Sequence, residues 1–390
     1  MNPTAPHSAP TAGRALAWTL GCGAALLGPL MAPGAASAFG MFGALDSHPT
    51  PGLVSQAAFG DLDGDGAVDI AAAVDEQPGN AGDGVLVYSG NGDGTLGVPL
   101  PIAAGDDPDG VAIGRFSGDR RRDIAVSASA DDTISLLYTT KNGTFKHGPT
   151  LNTPARPTFL AAADLNRDGR TDLISLNSAA TTKPISTWLQ RSGGGFGSRR
   201  DYSAYGTEWR GLAVGDLNGD KRPDVAVLSY LDDVSVRLTK RNGTLGRRTV
   251  VRNPGGGGWF DLAMADFNRD GKGDLVTGDM GSNALHVRLG KGNGRFKRGH
   301  EIPLATAAPG ALVTGDFNRD RKADIGIASY SPARVVTLPG KGNGKFGPES
   351  APYPAASQGF WIGAARLDAD KGPDLVFGGR TTLDVFMNQP

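Results

Sequence analysis

The sequence predicts an all-β protein, a seven-bladed β-propeller of four-stranded antiparallel blades, with the ring closed by an N-terminal strand in the last blade. Three observations predict this fold. A nine-residue acidic loop recurs seven times at intervals of 49 to 54 residues. Short apolar stretches and turn residues fill each interval. The last repeat stops before its fourth strand, and 59 glycines and 26 prolines in 390 residues favour short strands over long helices.

The acidic loops have the form Asp-x-Asp/Asn-x-Asp-x-x-x-Asp, with two eroded copies. They begin at Asp61, Arg115, Asp164, Asp216, Asp266, Asp316 and Arg366. A period this regular is typical of a repeat architecture, in which each unit buries its apolar surface against the next. One continuous array therefore accounts for nearly all of the chain and leaves no room within it for a separate catalytic domain.

Each repeat is predicted to contain four strands. A strand with small side chains at alternate positions precedes the loop, as at Ala213 and Gly215. Two apolar strands follow the loop, and a hairpin such as Asn242-Gly243 leads into the fourth strand. The predicted blades lie near residues 53–105, 106–155, 156–206, 207–257, 258–307, 308–356 and, for the last, 357–390 plus 39–52.

The two ends of the repeat array predict how the ring closes. The last repeat ends in its third strand, at Leu383 to Met387. The segment before the first loop, Phe39 to Pro51, resembles the missing piece, with Phe-Gly early and Pro late. We therefore expect residues near Phe39 to His48 to form the outer strand of the last blade, within a propeller that spans 39–390.

The first 38 residues are predicted to be a secretion signal, 1–38. Arg14 precedes an apolar run over residues 15–30, and small residues before Ala38 suit cleavage near that position. A membrane anchor is the alternative, although Gly28 and the proline after it interrupt the run. We expect a secreted mature chain, periplasmic or extracellular, with no membrane span. The only cysteine, Cys22, would leave with the signal, so no disulfide is expected.

Five of the acidic loops carry oxygen ligands at positions 1, 3, 5 and 9. Such loops suit a hard cation with six or more oxygen ligands, and clustered carboxylates repel one another without a counter-ion. Calcium (Ca2+), about five ions per chain, is the expected cofactor, and magnesium is the alternative. The predicted ligands are Asp61, Asp63, Asp65, Asp69, Asp164, Asn166, Asp168, Asp172, Asp216, Asn218, Asp220, Asp224, Asp266, Asn268, Asp270, Asp274, Asp316, Asn318, Asp320 and Asp324.

The second and last loops replace the first ligand with Arg115 and Arg366. One interpretation places each guanidinium among the remaining carboxylates, where a fixed cation substitutes for the metal. The other is decay of the site, with the arginine in solvent. Both interpretations leave five loops with a full set of ligands.

These motifs resemble the FG-GAP/VCBS repeat family. The resemblance rests on loops such as Asp216-Leu217-Asn218-Gly219-Asp220 and on the Phe-Gly pairs at Phe196 and Phe346, and it covers nearly all of the chain after the signal. It implies a calcium-bearing seven-bladed propeller of the kind found in integrin alpha chains. Members of the family include adhesion domains, lectin-like modules and parts of polysaccharide-active enzymes, so the resemblance leaves the ligand open.

The two ends of the ring are expected to differ. The acidic loops and the basic Asn-Gly hairpins, such as Lys291 to Arg298, share one end, which is either a solvated rim or a surface for an anionic polymer. Aromatic residues precede the inner strands, or follow the second strands, at the opposite end, where they suit either packing between blades or ligand stacking. The ligand candidates are Trp209, Tyr230, Trp259, Phe260, Tyr330 and Trp361, with Phe360 in the same aromatic group.

A binding module in adhesion or carbohydrate recognition is the predicted function. The four histidines after the signal are scattered without metal or triad spacing, which gives catalysis little support. The alternative is a carbohydrate-active enzyme, a polysaccharide lyase or hydrolase on a propeller scaffold. The expected partner is a polysaccharide or a cell-surface protein, and nucleic acid is not expected.

Overall fold

The computed structural model describes residues 41–75, 84–230, 233–253, 258–305, 308–370 and 372–389, without the side chain of Trp259. The predicted signal and its cleavage site near Ala38 lie outside these residues. The described chain forms seven separate antiparallel sheets. The innermost strand of each sheet packs beside the innermost strands of its two neighbours, so the sheets form a closed ring of seven blades. The predicted fold class is confirmed.

The strands are short and follow the repeat. Blades 1 and 2 contain β2 (Leu53–Gly60), β3 (Asp69–Asp75), β4 (Gly84–Tyr88), β5 (Leu100–Ala103), β6 (Pro108–Gly114), β7 (Asp123–Ala128), β8 (Thr133–Thr139), β9 (Phe145–His147) and β10 (Leu151–Asn152). Blades 3 and 4 contain β11 (Pro157–Ala163), β12 (Asp172–Asn177), β13 (Ile185–Trp188), β14 (Arg200–Tyr202), β15 (Trp209–Gly215), β16 (Asp224–Ser229), β17 (Val234–Thr239) and β18 (Leu245–Val251). Blades 5 and 6 contain β19 (Trp259–Ala265), β20 (Asp274–Asp279), β21 (Ala284–Arg288), β22 (His300–Pro303), β23 (Pro309–Gly315), β24 (Asp324–Ser329), β25 (Arg334–Leu338) and β26 (Tyr353–Pro354). Blade 7 contains β27 (Gly359–Ala365), β28 (Asp374–Gly379), β29 (Thr382–Asn388) and β1 (Phe42–Pro49).

Ring closure follows the prediction. Strand β1 pairs antiparallel with β29, for example Leu45 opposite Phe386 and Pro49 opposite Thr382, and supplies the fourth strand of blade 7. Phe42 at the start of β1 is only 4% exposed. Its ring lies 6.0 Å from Phe317 and 5.4 Å from Tyr353, both in blade 6. The N-terminal strand therefore joins the first and last parts of the chain through backbone pairing and through packing.

The apolar core lies between blades. The second residue of every acidic loop is Leu or Phe and is at most 2% exposed. Phe267, from the loop of blade 5, packs against Phe346 of blade 6 with ring centroids 5.2 Å apart, and Phe116 of blade 2 packs against Phe196 of blade 3 at 5.6 Å. In blades 1 to 5 and 7, each loop thus packs its apolar side chain in one cluster with the Leu or Phe that follows the hairpin of the next blade. Neither blade could bury this surface alone.

Every inner strand is irregular at the same place. The register shifts at the start of all seven, as between Trp209 and Gly211 in β15 and between Gly359 and Trp361 in β27. Such an extra residue bends a strand and redirects its side chain out of the regular alternation. Arg210, Phe260 and Phe360 occupy these positions, which makes them available at one end of the ring.

We expect the closure strand to make a large contribution to stability. Phe42→Ala should lower the free energy of unfolding by about 3–5 kcal/mol, because it leaves a cavity between blades 6 and 7. The control is Leu45→Ala in the same strand, whose side chain is 38% exposed and whose truncation should cost less than about 1 kcal/mol. Urea unfolding followed by tryptophan fluorescence measures both. Equal losses would show that β1 does not close the ring.

Candidate functional site

A buried aspartate at position nine ends every acidic loop. In blade 4 its carboxylate connects two strands: Asp224 Oδ2 accepts the Leu217 N–H at 3.0 Å, and Oδ1 accepts the Thr239 N–H at 2.7 Å. The same pair of hydrogen bonds recurs in all seven blades, with N···O distances of 2.6–3.0 Å. Oδ2 accepts the N–H of the second loop residue: Leu62, Phe116, Leu165, Leu217, Phe267, Phe317 and Leu367. Oδ1 accepts the N–H of a residue at the end of the third strand: Gly90, Thr139, Gln190, Thr239, Gly290, Gly340 and Asn388. We call this arrangement the aspartate clasp. It ties the loop to the end of the third strand.

Burial sets the electrostatics of the clasp. It raises the pKa of five clasp carboxyls to about 6, although the backbone N–H donors act in the opposite direction: Asp172, Asp224, Asp274, Asp324 and Asp374. The folded-state pKa lies above the usual value near 3.9. The ionised clasp therefore costs stability above the folded-state pKa, and this cost falls as the pH drops below it. A nearby cation would reduce the cost at neutral pH.

The earlier loop positions are more exposed and are held by backbone hydrogen bonds. In blade 4, Asp216 Oδ1 accepts the Gly219 N–H at 2.7 Å and Oδ2 accepts the Lys221 N–H at 2.6 Å. Lys221 has φ +64°, a left-handed conformation that a lysine adopts only under constraint. The loop therefore curls around its first carboxylate, which holds the oxygens of positions 1, 3 and 5 close together.

The first loop brings three carboxylates to one point. Oxygens of Asp61, Asp63 and Asp65 all lie within 4.8 Å of one another, and the second and third of these residues are exposed. Position seven of this loop is Ala67, so no basic side chain projects from that position. Of the loops in the described residues, this is the one in which three carboxylates converge, and none of the three forms an ion pair there.

Other loops carry their own cation at position seven. In blades 2 to 6 this residue is basic and forms an ion pair with the aspartate at position five: Arg121 with Asp119, Arg170 with Asp168, Arg222 with Asp220, Lys272 with Asp270, and Lys322 with Asp320. The lysine pairs measure 3.4 Å in blade 5 and 2.8 Å in blade 6. The sequence pattern singled out these aspartates but did not reveal their basic partners.

The two loops that begin with arginine correct one expectation. Arg115 and Arg366 are exposed and form no ion pair within the described part of the chain, so the interpretation that their guanidinium groups replace the metal is wrong. A different cation reaches each site. In blade 2 it is Arg121, and in blade 7 it is Arg319, which comes from the loop of blade 6 and contacts Asp370 as well as Asn388 at 3.2 Å.

The acidic loops and the hairpins share one end of the ring, as expected. The Gly195 N–H donates to the Phe116 carbonyl at 2.9 Å, from the hairpin of blade 3 to the loop of blade 2. The Gly344 N–H makes the same bond to the Phe267 carbonyl, between blades 6 and 5, also at 2.9 Å. Each hairpin therefore rests on the loop of the preceding blade.

Aromatic side chains from four blades meet at the opposite end. Tyr330 and Phe360 stack with ring centroids 4.3 Å apart and planes at 7°, and Phe260 lies 5.9 Å from Phe360 at 18°. Tyr230 packs edge-on against Phe260 at 5.7 Å. The guanidinium carbon of Arg210 lies 5.1 Å from the Tyr230 centroid and 5.9 Å from that of Phe260. We call these five residues the aromatic cluster.

The cluster contains only some of the predicted ligand candidates. Trp209 is 5% exposed, packs in the core between blades, and its Nε1 is 3.4 Å from the Ala180 carbonyl. Trp361 lies beside Phe59 of blade 1, with ring centroids 6.0 Å apart. The side chain of Trp259 lies outside the described residues. The structure thus brings together Tyr230, Phe260 and Tyr330 and places Trp209 and Trp361 elsewhere.

Phe360 is the residue that sequence reasoning undervalued. It belonged to the aromatic group but not to the ligand candidates, yet its ring lies between those of Tyr330 and Phe260 and is 42% exposed. In blade 6, which lies between the blades of Phe260 and Phe360, the equivalent position is Gly310. Because glycine has no side chain, rings from blades 5 and 7 can approach each other across it.

Polar side chains join the inner strands near this end. Gln56 Oε1 accepts N–H groups of Val111 at 3.1 Å and Leu160 at 3.3 Å, in the next two blades. Asp261 occupies the equivalent position in blade 5, and its Oδ2 accepts the Leu312 N–H at 2.8 Å. These side chains accept backbone N–H groups of the inner strands of blades 2, 3 and 6, whose inner edges have no strand partner in the described chain. Burial raises the pKa of Asp261 to about 7.

Comparison with known proteins identifies the class. A family profile described as an FG-GAP-like repeat matches residues 115–175, 216–277 and 266–327. No curated protein matches the chain in sequence. The three matched segments coincide with acidic loops and the strands around them. The protein is thus a β-propeller built from loop-bearing repeats, and specifically an FG-GAP-repeat propeller with seven blades.

Solved structures support the fold at low sequence identity. A BBS1N chain crystallised in complex with ARL6DN is 14% identical, with a TM-score of 0.61 over 90% of this chain and 97% of that one. An Agrocybe aegerita lectin with specific recognition of non-reducing terminal N-acetylglucosamine is 18% identical, with a TM-score of 0.56 over 86% of each chain. A putative 6-phosphogluconolactonase from Bacteroides uniformis is 12% identical, with a TM-score of 0.59 over 79% and 88%. These likenesses establish the propeller fold.

The aspartate clasp predicts a specific loss of stability. Asp224→Asn places an amide NH₂ group against one of the two backbone N–H donors, so the free energy of unfolding should fall by about 1–3 kcal/mol. The control is Asp220→Asn in the same loop, which weakens a partly exposed ion pair with Arg222 and keeps an amide oxygen for the Arg222 N–H at 2.9 Å, so it should cost less than about 1 kcal/mol. Denaturant unfolding in excess chelator measures both variants without bound metal. A larger loss for the control would contradict the structural role of the clasp.

Asp261 predicts a pH-dependent component of stability. Its folded-state pKa of about 7 exceeds the unfolded value near 3.9, so the folded state binds the proton more tightly. Stability from this group therefore increases as the pH falls from about 7 to about 4. In Asp261→Asn the rise in melting temperature between pH 7.5 and pH 5 should be smaller than in the parent protein, with chelator in both samples. An identical rise would show that Asp261 does not titrate in this range.

Proposed function

We propose that this protein is an exported, calcium-stabilised binding propeller that recognises a carbohydrate at the aromatic cluster. The proposal combines three parts: the recognition surface, the metal sites and the export of the chain. The recognition surface carries the proposal, and the other two parts describe the conditions under which it would work.

The observation that carries the proposal is the exposed aromatic cluster. A globular protein buries most large apolar side chains, so the stacked pair of Tyr330 and Phe360, with Phe360 42% exposed, supports a binding surface here. Sugar rings present apolar C–H faces that pack on such aromatic rings, while their hydroxyls need hydrogen-bond partners. Arg210, exposed beside Tyr230, can donate those bonds. Apolar and polar groups thus converge on one patch, the combination that a sugar ligand needs.

The lectin relative adds support of a weaker kind. It shares this fold over most of both chains and recognises non-reducing terminal N-acetylglucosamine. At 18% identity its ligand cannot be transferred residue by residue, but it shows that a propeller of this shape can serve as a sugar-binding scaffold. N-acetylglucosamine-terminated glycans are therefore included among the first ligands to test. Aromatic and arginine side chains also anchor protein interfaces, so a cell-surface protein is the competing ligand.

Calcium would stabilise the scaffold at the other end of the ring. The convergence of Asp61, Asp63 and Asp65 within 4.8 Å supports a cation there. In blades 3 to 6 the first carboxylate accepts a hydrogen bond from the backbone of its own loop, a fixed orientation that supports a metal site there. Calcium suits this irregular set of oxygens better than magnesium does. Bound calcium would offset the burial cost of the clasp carboxylates.

Export rests on the sequence of residues 1–38, with cleavage near Ala38. It fits a protein that needs calcium, since weak calcium sites are filled where the ion is abundant, outside the cytoplasm. Within the described residues no helix is long and apolar enough to cross a membrane.

Metal content tests the assignment of the loops. Asp61→Arg recreates the first residue of the second and last loops and should lower the calcium content of about five ions per chain by about one. Arg366→Asp restores the full ligand pattern in the last loop and should raise it by about one. Mass spectrometry of the dialysed protein counts the ions. The assignment fails if neither variant changes the count.

Glycan binding tests the recognition surface. Phe360→Ala should weaken binding of the best glycan from an array by about tenfold or more, because it removes the central ring of the stack. The control is Val98→Ala, a 94% exposed apolar residue in blade 1, which should bind as the parent does. Chelator should lower the melting temperature of the protein at concentrations that leave glycan binding unchanged. Release of products from a bound polysaccharide would instead indicate the carbohydrate-active enzyme.

A further inference from the structure

A groove with many cationic side chains runs along the outer side of the ring between blades 4 and 5. It consists of two adjoining cavities of about 410 and 330 Å3, which share three arginines. We call it the basic trough. Its charged and imidazole-bearing lining residues are Arg252, His286, Arg288, Arg295, Lys297, Arg298, His300 and Glu301. The aromatic cluster contributes no residue to it.

Arg288 lies at the floor of the trough. It is the last residue of β21 and is half-buried. One terminal nitrogen donates to the Arg252 carbonyl, but Nε is buried without a hydrogen-bond partner in the described residues. Burial lowers the pKa of the Arg288 guanidinium, and no carboxylate of the described chain forms an ion pair with it. The nearest counter-charge is Asp233, which already pairs with Arg252, so a bound anion would lower the cost of half-burying the Arg288 guanidinium.

Arg252 forms one wall and is fixed in orientation. Its Nη1 lies 2.7 Å from Asp233 Oδ2, and its guanidinium carbon lies 5.1 Å from the centroid of the Tyr205 ring. The side chain nevertheless remains 73% exposed. An arginine whose guanidinium is already held by an ion pair and a ring contact, and is still largely exposed, loses little conformational freedom when a ligand binds.

The facing wall comes from the segment before β22. Lys297 and Arg298 are exposed and approach the trough from blade 5. At the rim, His300 and Glu301 add groups that can hydrogen-bond neutral hydroxyls. Five cationic side chains thus surround the trough, against the two carboxylates of Asp233 and Glu301. The trough is electropositive, but its lining is mixed rather than purely cationic.

We propose that the basic trough binds an acidic polysaccharide, with sulfate or carboxylate groups of the chain on Arg288 and Arg298. Arginine pairs with planar or tetrahedral oxyanions through several N–H donors at once. Two joined cavities suit successive charged sugars of one chain, and the histidines and Glu301 suit the hydroxyls between the charges. Nucleic acid fits less well, because its binding sites usually add exposed aromatic rings for bases. Phe296, the aromatic residue in the lining, is packed against the core of blade 4.

This site goes beyond the proposed function. The trough uses residues from β18 to β22 on the outer side of blades 4 and 5, whereas the aromatic cluster lies at the starts of inner strands and just after the second strands. A protein with both sites would hold an acidic matrix polymer on its side and leave the aromatic end free. Either proposal can be contradicted while the other holds, and the same set of variants shows whether the aromatic cluster or the basic trough lacks its ligand.

The test is binding of dextran sulfate to the mature protein, with calcium present, by isothermal titration calorimetry. The double variant Lys297→Gln/Arg298→Gln removes two exposed charges without disturbing the core. It should weaken binding about tenfold and reduce its dependence on salt. The matched control is Lys141→Gln/Lys146→Gln, which removes the same charge from the basic hairpin of blade 2 and should change affinity less than about twofold. Arg288→Gln is a second trough variant and should weaken binding at least as much.

The ligand series decides the chemistry. If polygalacturonate binds and dextran sulfate does not, the trough recognises carboxylates rather than sulfates. Neutral dextran should not bind in either case. The proposal is overturned if the trough and control variants lose affinity equally, since binding would then be a general effect of surface charge. It is also overturned if single-stranded DNA of equal length binds more tightly, or if Phe360→Ala abolishes dextran sulfate binding. Loss of glycan-array binding with intact dextran sulfate binding would affect only the aromatic cluster.

Discussion

The fold depends on one repeated interaction, the buried carboxylate that ends each acidic loop. Its two oxygens accept backbone N–H groups from the second loop residue and from the end of the third strand, and they do so in every blade. The bond to the second loop residue holds the Leu or Phe at that position in the core beneath the next blade. A single side chain therefore couples the conformation of the loop to packing within and between blades.

This coupling separates two roles within one motif. Position nine is buried and engaged with the backbone, whereas positions 1, 3 and 5 are more exposed and remain available to a cation. In blades 2 to 6 the nearest cation in the chain is the basic residue at position seven, and in blade 7 it is Arg319 from the preceding blade. Arg319 and Asn388 also join blade 6 to blade 7, which is the sheet in which the N-terminal strand β1 pairs with β29. Loop electrostatics and ring closure thus share residues.

The surfaces of the ring differ in chemistry because different segments of the blade form them. Loops and hairpins share one end, because each hairpin rests on the preceding loop. The bulged first residues of the inner strands meet at the other end, where Phe260 and Phe360 approach across Gly310. Outer strands of neighbouring blades leave grooves between them, and the groove of blades 4 and 5 collects arginines because Arg252, Arg288 and Arg298 come from three separate segments. A structural ring can therefore carry three chemically different surfaces.

The sequence alone determined the number of blades, their strand order and the closure by the N-terminal strand, because hydrophobic alternation and turn residues act locally and repeat at a fixed period. It also identified the carboxylates of the loops. Only the tertiary structure decided their partners. It showed that Arg121 and Arg319, not Arg115 and Arg366, meet the carboxylates of the eroded loops. It also showed that Trp209 is core while Phe360 is central to the aromatic cluster. Arg121 pairs with Asp119 only two residues away, but Arg319 and Asp370 are 51 residues apart and Phe260 and Phe360 come from different blades, so their contacts arise only when the blades pack.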